Sequence, residues 1–374
     1  MAGDFTHTLD LGVNKRSVWH VLHIDWPMLL MLLLLMVTSL FSVYSASGEN
    51  MSMVMRQLSY FGLGLLIMFF VAQFHPIWFQ MAAPWAFGAV VIALILVLLV
   101  GVGAKGAQRW LSVFGLFRFQ PSEMMKLAMP MMVAWYLASK LLPPNFKHIM
   151  ITMLIVFVPT FLIMKQPDLG TSLLVATAGM LVLLLAGLSW RYMLAALGAA
   201  AVLFPMLWLF VMREYQKQRV LTFLDPESDP LGSGWNIIQS KTAIGSGGIE
   251  GKGYLQGTQS QLEFLPERHT DFIIAVFAEE HGLIGVVLLL CLYAAIVLRG
   301  LYMAARGRDT FDRLIAGALI VTFFIYVFVN IGMVSGILPV VGVPLPLISY
   351  GGTSIVTLMA AFGVLMSVYT HRRI

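Results

Sequence analysis

The stretch LVATAGMLVLLLAGL, residues 174–188, decides the fold class of this chain. Its apolar residues run continuously, whereas a membrane-spanning β-strand alternates between a lipid-facing and a lumen-facing side. Backbone groups inside a bilayer must also be hydrogen-bonded within the protein, which leaves the α-helix as the alternative to a closed barrel. The stretch therefore predicts a membrane-spanning helix rather than a strand.

The same signal recurs along the 374-residue chain, which is 59% hydrophobic and only 11% charged. Soluble domains carry about 25% charged residues, so the composition excludes that class. We predict an all-α polytopic integral membrane protein, built as a single membrane-embedded domain over residues 1–374. Runs near the length that crosses a bilayer predict about ten transmembrane helices, at roughly 27–46, 57–74, 79–101, 121–140, 149–164, 170–187, 191–211, 271–298, 314–334 and 347–369.

The N-terminal segment and the single cysteine bear on whether the chain has a signal peptide, a disulfide framework or a thiolate metal site. Residues 1–26 carry Lys15 and Arg16, but no small-residue cleavage site follows them, so we expect a retained segment rather than a signal peptide. Cys291 is the only cysteine and lies inside an apolar run. The sequence therefore predicts neither a disulfide framework nor a thiolate metal site.

Basic residues in the short connections predict the orientation of the chain. Four arginines lie in RGLYMAARGRDTFDR (299–313), the C-terminus ends in HRRI, and Lys140 and Lys147 occupy another connection. With an even number of spans, these segments fall on one side together with Lys15 and Arg16. Because cytoplasmic connections carry the excess of Lys and Arg, we expect both termini in the cytoplasm.

The opposite side is also basic, within two longer segments. Residues 102–120 and the large extracytoplasmic loop 212–270 between spans seven and eight hold most of these cations. One interpretation is an anionic ligand at the outer membrane surface. The alternative is that Asp and Glu in the same segments merely balance the charge.

The segment RFQPSEMMKLAM (118–129) contains charged residues at the entrance of a span. Pro121 in the first turn and Glu123 beside the positive helix end predict a helix start. Lys126 lies one turn further on the same face, where an ion costs about 2.5–3.5 kcal/mol unless it faces the bundle interior or water. Two interpretations stay open: a self-neutralising Glu123–Lys126 pair, or the charged wall of a cavity.

Two further segments carry polar residues between spans. In MKQPDLGTSLL (164–174), Asp168 precedes a helix and is a candidate N-cap. The glycine-rich AIGSGGIEGKGYLQG (243–257) favours a mobile loop over a phosphate cradle, because no strand–loop–helix context surrounds it.

The stretch LEFLPERHTDFIIAVFAEEHGLIGVVLLL (262–290) crowds ionisable groups at the mouth of a span. Asp271 or Thr270 could simply cap the helix. Alternatively, Asp271 is a catalytic base in a cavity beside Arg268 and His269. Glu279 and Glu280 lie two turns further in, and we expect at least one of them to face the bundle or a partner.

Three prolines interrupt the apolar run NIGMVSGILPVVGVPLPLISYGGTSIVTLMAAFG (330–363). Irregular backbone at membrane depth is tolerated only where it is buried or lines water. The run therefore predicts a re-entrant or kinked segment that walls the outer cavity, with an ordinary tight loop as the alternative.

These segments, in this order, resemble the SEDS family (shape, elongation, division and sporulation), and its elongation branch above all. The resemblance spans essentially the whole chain from SASG (45–48) onward, and it is carried by KGAQRW, RFQPSE, QPDLGTS, DPESDPLGSG, QSQLEFLPERHTDFI, GLIG and GILPVVGVPLPLISYGG. It implies a peptidoglycan glycosyltransferase that polymerises lipid II at the outer face of the cytoplasmic membrane during cell elongation and rod-shape maintenance.

The resemblance also implies the site and the partners. The essential acid of the family falls on Asp271, and its cavity positions match Arg109, Glu123, Lys126 and Asp168. With Arg268 and His269 these form the expected substrate-binding set. The implied partners are a class B penicillin-binding protein (a transpeptidase) and the MreB–MreC–MreD machinery.

The expected reaction is an inverting displacement of undecaprenyl pyrophosphate, with Asp271 as the base. Cations would offset the charge of the leaving group, together with a divalent ion, Mg²⁺ or Mn²⁺, on the phosphates. We expect no metal held by protein side chains.

Two other functions fit a polytopic protein with charges inside the membrane. A lipid II flippase would need a polar route towards the cytoplasmic side, whereas the charges here cluster near the outer end. A non-catalytic scaffold for the transpeptidase would tolerate neutral substitutions at Asp271.

Overall fold

The computed structural model describes residues 22–104, 107–113, 117–212, 214, 217, 221–222, 225, 233–258 and 268–371. Within these ranges the chain forms eleven α-helices and three short strands. The helices before residue 200 are α1 (Trp26–Ala46), α2 (Met51–Ala72), α3 (Pro76–Val100), α4 (Pro121–Ala138), α5 (Phe146–Lys165), α6 (Leu169–Leu185) and α7 (Trp190–Met206). Those after it are α8 (Ser233–Gly247), α9 (Ile273–Ala305), α10 (Thr310–Val334) and α11 (Gly352–Thr370).

All helices except α8 match the ten predicted spans in order, so the prediction of a polytopic all-α membrane protein is confirmed. Seven of them (α1, α2, α3, α5, α9, α10 and α11) are long and apolar enough to cross a membrane. Helices α6 and α7 have 17 residues each and α4 has 18. These three are the shortest of the ten, and at 1.5 Å per residue they measure about 26–27 Å against a hydrocarbon core of about 30 Å.

Polar residues placed immediately before apolar runs start the helices. The side chains of Asp25, Asn50 and Asn145 accept hydrogen bonds from backbone N–H groups in the first turns of α1, α2 and α5. Each such bond satisfies a donor that has no partner within the helix. Pro76 and Pro121 occupy the first positions of α3 and α4, where their missing N–H is not needed.

The connection between α3 and α4 contains three short strands that the sequence analysis did not predict. They are β1 (Val102–Ala104), β2 (Ala107–Val113) and β3 (Phe117–Phe119), and β2 pairs antiparallel with both neighbours. Their β-branched and aromatic residues favour extended backbone. These short strands do not change the all-α class of the protein.

The core of the bundle combines α4, α6, α10 and the first part of α9. Helices α2 and α11 form another close pair, in which a methyl group on Gly64 would lie 2.9 Å from Met359 Cγ. Small residues at helix contacts allow the close backbone approach that drives packing in lipid.

The start of α1 and the end of α11 meet at one end of the bundle, which we call the Arg299 end. Asp25, which precedes α1, forms an ion pair with Arg299 of α9, with Nη2 2.5 Å from Oδ2. The guanidinium of Arg299 also lies over the ring of Tyr369, near the end of α11, at 5.5 Å. The arginine-rich connection 299–313 therefore lies at the same end as the start of α1 and the end of α11.

The predicted large loop 212–270 contains α8, which packs against α9. The expectation of a mobile loop at 243–257 is wrong. Residues 243–247 complete α8, and backbone hydrogen bonds hold residues 248–253 on α9. Glu227 and Asp229 of the DPESDP motif lie outside the described residues, as do Lys15 and Arg16 of the predicted cytoplasmic segment 1–26.

The chain between α10 and α11, residues 335–351, is irregular and partly buried. Val343, Leu345, Leu347 and Ile348 are each at most 2% exposed. Helix α11 begins at Gly352 rather than near residue 347. A surface loop would leave these side chains in solvent, so the structure favours the predicted broken segment over an ordinary tight loop.

Candidate active site

Asp271 lies just before α9, at the end of the bundle opposite Arg299. The helix begins at Ile273, and its N-cap residue is Phe272, which makes no side-chain capping bond. The N-cap position is thus occupied by Phe272 rather than by Thr270 or Asp271. A methyl group on Gly342 would lie 3.4 Å from Oδ2 of Asp271, so the carboxylate faces the irregular segment 335–351.

Side chains from distant parts of the sequence hold the backbone of residues 269–271. The Asn330 side-chain amide donates to the carbonyl of Asp271 at 2.8 Å and to that of Val343 at 2.7 Å. The Ser349 hydroxyl donates to the carbonyl of Thr270 at 2.5 Å, and the Tyr350 N–H donates to the carbonyl of His269 at 2.9 Å. Hydrogen bonds from α10 and from segment 335–351 therefore fix the backbone that leads into α9 at Asp271.

Sequence reasoning missed the roles of Asn330 and Ser349. Both are buried polar residues, at 0% and 3% exposure, within a largely apolar run. A buried amide or hydroxyl needs a hydrogen-bond partner. That requirement was the available signal, although it could not identify residues 269–271 as the partners.

Arg268 and His269, two of the predicted substrate-binding residues, closely precede Asp271 in the sequence and contact separate parts of the fold. The ring of His269 meets that of Tyr350 edge to face, with centroids 6.2 Å apart. Arg268 extends to the turn between α1 and α2, where a methyl group on Gly48 would lie 3.7 Å from its guanidinium. These contacts connect the start of α9 to the SASG turn and to Tyr350.

A further cation, Arg56 of α2, was not predicted. Its side chain lies close enough to Tyr350 for its charge to act on the phenol group. The ring of Tyr350 also meets that of Tyr60 of α2 edge to face at 6.3 Å. Because an exposed arginine within a span is expensive in lipid, its presence in an apolar helix was the signal that could have revealed it.

Glu123 and Lys126 form the predicted ion pair, with Lys126 Nζ 2.6 Å from Glu123 Oε1 and both side chains at most 10% exposed. The ammonium group also lies 5.1 Å from the centre of the Tyr326 ring. A buried lysine needs such partners because desolvation penalises an isolated charge.

The same pair lines a partly open pocket between α4, α10 and α11. Within the part of the chain that the structure describes, Glu123 Oε2, Thr322 Oγ1 and Tyr326 OH are buried without hydrogen-bond partners. Thus both features left open by the sequence are present: the charges form an ion pair, and they line a pocket whose other walls are largely apolar.

Asp168 is the N-cap of α6, as predicted, and its Oδ1 accepts from the Thr171 N–H at 3.3 Å. Its other oxygen accepts from the Gln120 side-chain amide at 3.2 Å, which links the starts of α4 and α6. A capping role does not test the predicted contact with substrate, which stays a prediction.

Segment 335–351 brings Asp168 and Asp271 to the same region. A side chain on Gly170, two residues after Asp168, would overlap the carbonyl of Val341. The next residue, Gly342, faces the carboxylate of Asp271. The start of α6 and the start of α9 therefore contact adjacent residues of this segment.

Arg109 belongs to β2, but its side chain is outside the described part of the structure. Glu263 and Glu267 are also outside the described residues. Within the described ranges, no three His, Cys, Asp or Glu side chains are grouped so that they could hold a metal ion.

Fold and site together define a polytopic membrane protein with an acid, several cations and a pocket lined by a buried ion pair at one end of its bundle. Comparison with known proteins gives the family. A model of the FtsW, RodA and SpoVE family, described as "Cell cycle protein", matches residues 20–374, and the chain belongs to this family.

Similar proteins agree with that assignment. The peptidoglycan glycosyltransferase MrdB of Escherichia coli (strain K12) is 54% identical over 360 residues, covering 96% of this chain and 97% of MrdB. A solved structure described as "Structural coordination of polymerization and crosslinking by a peptidoglycan synthase complex" has a chain with 32% identity and a TM-score of 0.82, covering 92% of this chain and 97% of that one. An aspartate-to-alanine mutant of the rod shape determining protein RodA of Thermus thermophilus has 29% identity and a TM-score of 0.70 at the same coverage.

Proposed function

We propose how this peptidoglycan glycosyltransferase carries out its reaction, the polymerisation of lipid II into β-1,4-linked glycan strands. Asp271 is the general base. The observation that carries this role is that Asp271 stands outside the N-cap position of α9 while Asn330 fixes its backbone. A carboxylate positioned in this way can accept a proton from a substrate hydroxyl.

The reaction is a single displacement. Asp271 takes the proton of the 4-hydroxyl of the acceptor's terminal GlcNAc as that oxygen attacks C1 of the MurNAc on the donor chain. A C1–O bond to the acceptor forms while the C1–O bond to the pyrophosphate breaks, with inversion at C1. Undecaprenyl pyrophosphate leaves with the bonding electron pair, and Asp271 later returns its proton to water.

Cationic side chains offset the charge that develops on the leaving group. Arg109, Lys126 and Arg268 take this role, and Glu123 holds Lys126 in place through the 2.6 Å ion pair. Fixed cations stabilise developing charge most effectively in a site of low dielectric constant. Asp168 and His269 complete the substrate-binding set.

A divalent cation, Mg²⁺ or Mn²⁺, would accompany the pyrophosphate. Since the described side chains form no cluster of three metal ligands, they do not fit a metal held by the protein alone. Such an ion would take its oxygen ligands from phosphate and water. No step of the reaction is assigned to it.

The chain is a multi-pass membrane protein, and we place it in the bacterial cytoplasmic (inner) membrane with both termini in the cytoplasm. The Asp25–Arg299 contact supports this orientation, because it sets the arginine-rich connection 299–313 at the end where α1 starts and α11 finishes. Asp271 then lies towards the outer face, where lipid II is polymerised.

The proposed partners are a class B penicillin-binding protein, which crosslinks the new strands, and MreC, MreD and MreB of the elongation machinery. The likeness to a chain of a synthase complex that coordinates polymerisation and crosslinking supports the first of these partners. The work of the assembly is cell elongation and maintenance of the rod shape.

The test compares wild type with Asp271→Asn, each purified with the transpeptidase partner and supplied with lipid II in detergent. We expect glycan synthesis to fall by about 10²–10⁴-fold, the usual contribution of a general base. Asp309→Asn, an exposed acid at the start of α10, is the matched control and should polymerise normally. Normal synthesis by Asp271→Asn would move the base to Asp168 or Glu123. If the wild-type protein made no polymer, the function would instead be lipid II transport or scaffolding of the transpeptidase.

A further inference from the structure

Helix α9 is broken near its first third. Gly282 has φ 62° and ψ −165°, so residues 273–281 form a short first half and residues 283–305 a long second half. A break removes hydrogen bonds between successive turns, and polar backbone groups without partners are expensive inside a membrane. Some other part of the chain must supply the missing partners.

Residues 248–253, which follow α8, supply them. The N–H groups of Lys252 and Gly253 donate to the carbonyls of Glu279 and Glu280, each at 3.0 Å. In the opposite direction, the N–H groups of Leu283 and Ile284 donate to the carbonyls of residues 248 and 249 at 3.0 and 3.2 Å. Thus the segment 248–253 joins the two halves of α9.

Side chains reinforce the same contact. Lys252 Nζ lies 2.8 Å from Oε1 of Glu279, a side chain with 0% exposure. Thr258 donates to the same oxygen at 3.1 Å and accepts from Lys252 at 2.7 Å. Ser45, at the end of α1, donates to the neighbouring Glu280, which also accepts from the Leu255 N–H at 3.2 Å.

Asp271 lies just before the first half of α9, and Glu279 and Glu280 lie at the other end of that half. Residues 272–280 are buried, so the half-helix is enclosed by its neighbours. Glu279 is eight residues from Asp271, or about 12 Å along a helix, so it cannot touch a group that reacts there. Its contacts instead determine where the half-helix lies.

We propose that Lys252 and Glu279 are positioning residues for Asp271, an inference that rests on the proposed role of Asp271 as the base. Their ion pair fixes the broken half-helix against the segment 248–253. When the pair is lost, the half-helix shifts and the Asp271 carboxylate no longer meets the acceptor hydroxyl at the reactive distance. A displacement of about 1 Å in such a site lowers the rate by about a hundredfold.

The experiment uses the full chain with its transpeptidase partner and measures glycan synthesis over a range of lipid II concentrations. Lys252→Met removes the charge and keeps the aliphatic stem. We expect kcat per folded molecule to fall by about 10–100-fold with KM changed by less than about twofold, because the donor-binding cations are untouched. Lys252→Arg keeps the ion pair and should restore most of the rate.

Lys217→Met is the matched control, because it removes the ion pair with the exposed Glu214 in the same long connection. It should behave as wild type. Hydrogen exchange supplies a second readout: Lys252→Met should speed exchange in residues 273–281 and leave α10 and α11 unchanged. If Lys252→Met does not fold, Lys252→Gln, which keeps a donor without the charge, takes its place.

An unchanged kcat in Lys252→Met would overturn the proposal, as would a change confined to KM or faster exchange throughout the bundle. Asp271→Asn, measured in parallel, separates this result from failure of the proposed reaction. If the Asp271→Asn enzyme is active, Asp271 is not the base, and the proposed reaction fails. An inactive Asp271→Asn enzyme beside a fully active Lys252→Met enzyme overturns the positioning role alone.

Discussion

The side-chain amide of Asn330 lies 2.8 Å from the backbone carbonyl of Asp271, although 59 residues separate them. Asn330 is fully buried, and the same nitrogen donates to the carbonyl of Val343 at 2.7 Å. One amide of α10 therefore fixes both the residue proposed as the base and the segment that faces it. The site is a product of three elements rather than of α9 alone.

Replacement of this amide should lower both activity and stability. Asn330→Leu keeps the branched shape of the side chain but leaves two carbonyls without their donor, and each unsatisfied buried group costs about 1–3 kcal/mol. We expect a lower Tm and at least about tenfold slower glycan synthesis per folded molecule, because a small shift of Asp271 is enough. Thermal unfolding and lipid II polymerisation, measured on one preparation, check this prediction. A lower Tm with an unchanged rate would restrict Asn330 to a structural role.

The buried Glu123–Lys126 pair separates stability from function. Lys126→Met leaves the Glu123 carboxylate buried without its cation, which typically destabilises a protein by about 3–5 kcal/mol. The double variant Glu123→Gln/Lys126→Met removes both charges and should recover most of that loss. If Lys126 contacts the leaving group, polymerisation stays low in the recovered protein. Recovery of both Tm and activity would show that the pair serves only the fold.

Three histidines at the Arg299 end predict acid sensitivity. The rings of His23 and His371 stack with centroids 3.8 Å apart, and the ring of His75 lies 5.2 Å from that of His371. Burial lowers the pKa of His371 below its usual value of 6.5, and the neighbouring His23 and His75 lower it further. Its protonation is thus easier in the unfolded chain than in the folded protein.

The sign of the pH effect follows from that difference. The contribution of His371 to the free energy of unfolding is fully present above about pH 6.5 and is lost as the pH falls through the lower folded-state value. We expect the Tm to drop between pH 7.5 and 5.5, and to drop less in His371→Gln, which cannot titrate. Equal drops in wild type and variant would contradict the prediction. The measurement is thermal unfolding of the purified protein at the two pH values.

The contact between residues 248–253 and α9 requires glycine at one position in particular. Gly251 has φ +85°, and a side chain there would overlap the carbonyl of Glu280. The atoms that a methyl group on residue 251 would meet belong to the backbone of Glu280 and Gly282 and cannot move aside as a flexible side chain could. Gly251→Ala should therefore lower the Tm strongly. Gly245→Ala is the matched control on the adjacent helix α8, where a methyl group meets nothing within 4 Å. It should stabilise by about 0.5–1 kcal/mol, and a similar response of the two variants would contradict this account.

Local signals in the sequence determined the spans and several details of the site. Continuous apolar runs predicted the positions of ten helices, seven of which are long and apolar enough to cross a membrane, because the hydrocarbon layer demands an apolar surface of any helix that crosses it. The spacing of Glu123 and Lys126 predicted their ion pair, since residues three apart share a helix face. Asp168 before an apolar run predicted an N-cap for the same local reason.

Tertiary structure alone decided how these parts form a site. The bonds from Asn330 to Asp271 and from Ser349 to Thr270 join residues that are 59 and 79 positions apart. No local sequence pattern predicts the Lys252–Glu279 ion pair. The same holds for the backbone hydrogen bonds between segment 248–253 and the break in α9. Such contacts depend on which helices pack side by side, and that choice belongs to the whole bundle. The sequence shows which residues are apolar and which are charged. Only the packing of the helices determines which of these residues are in contact.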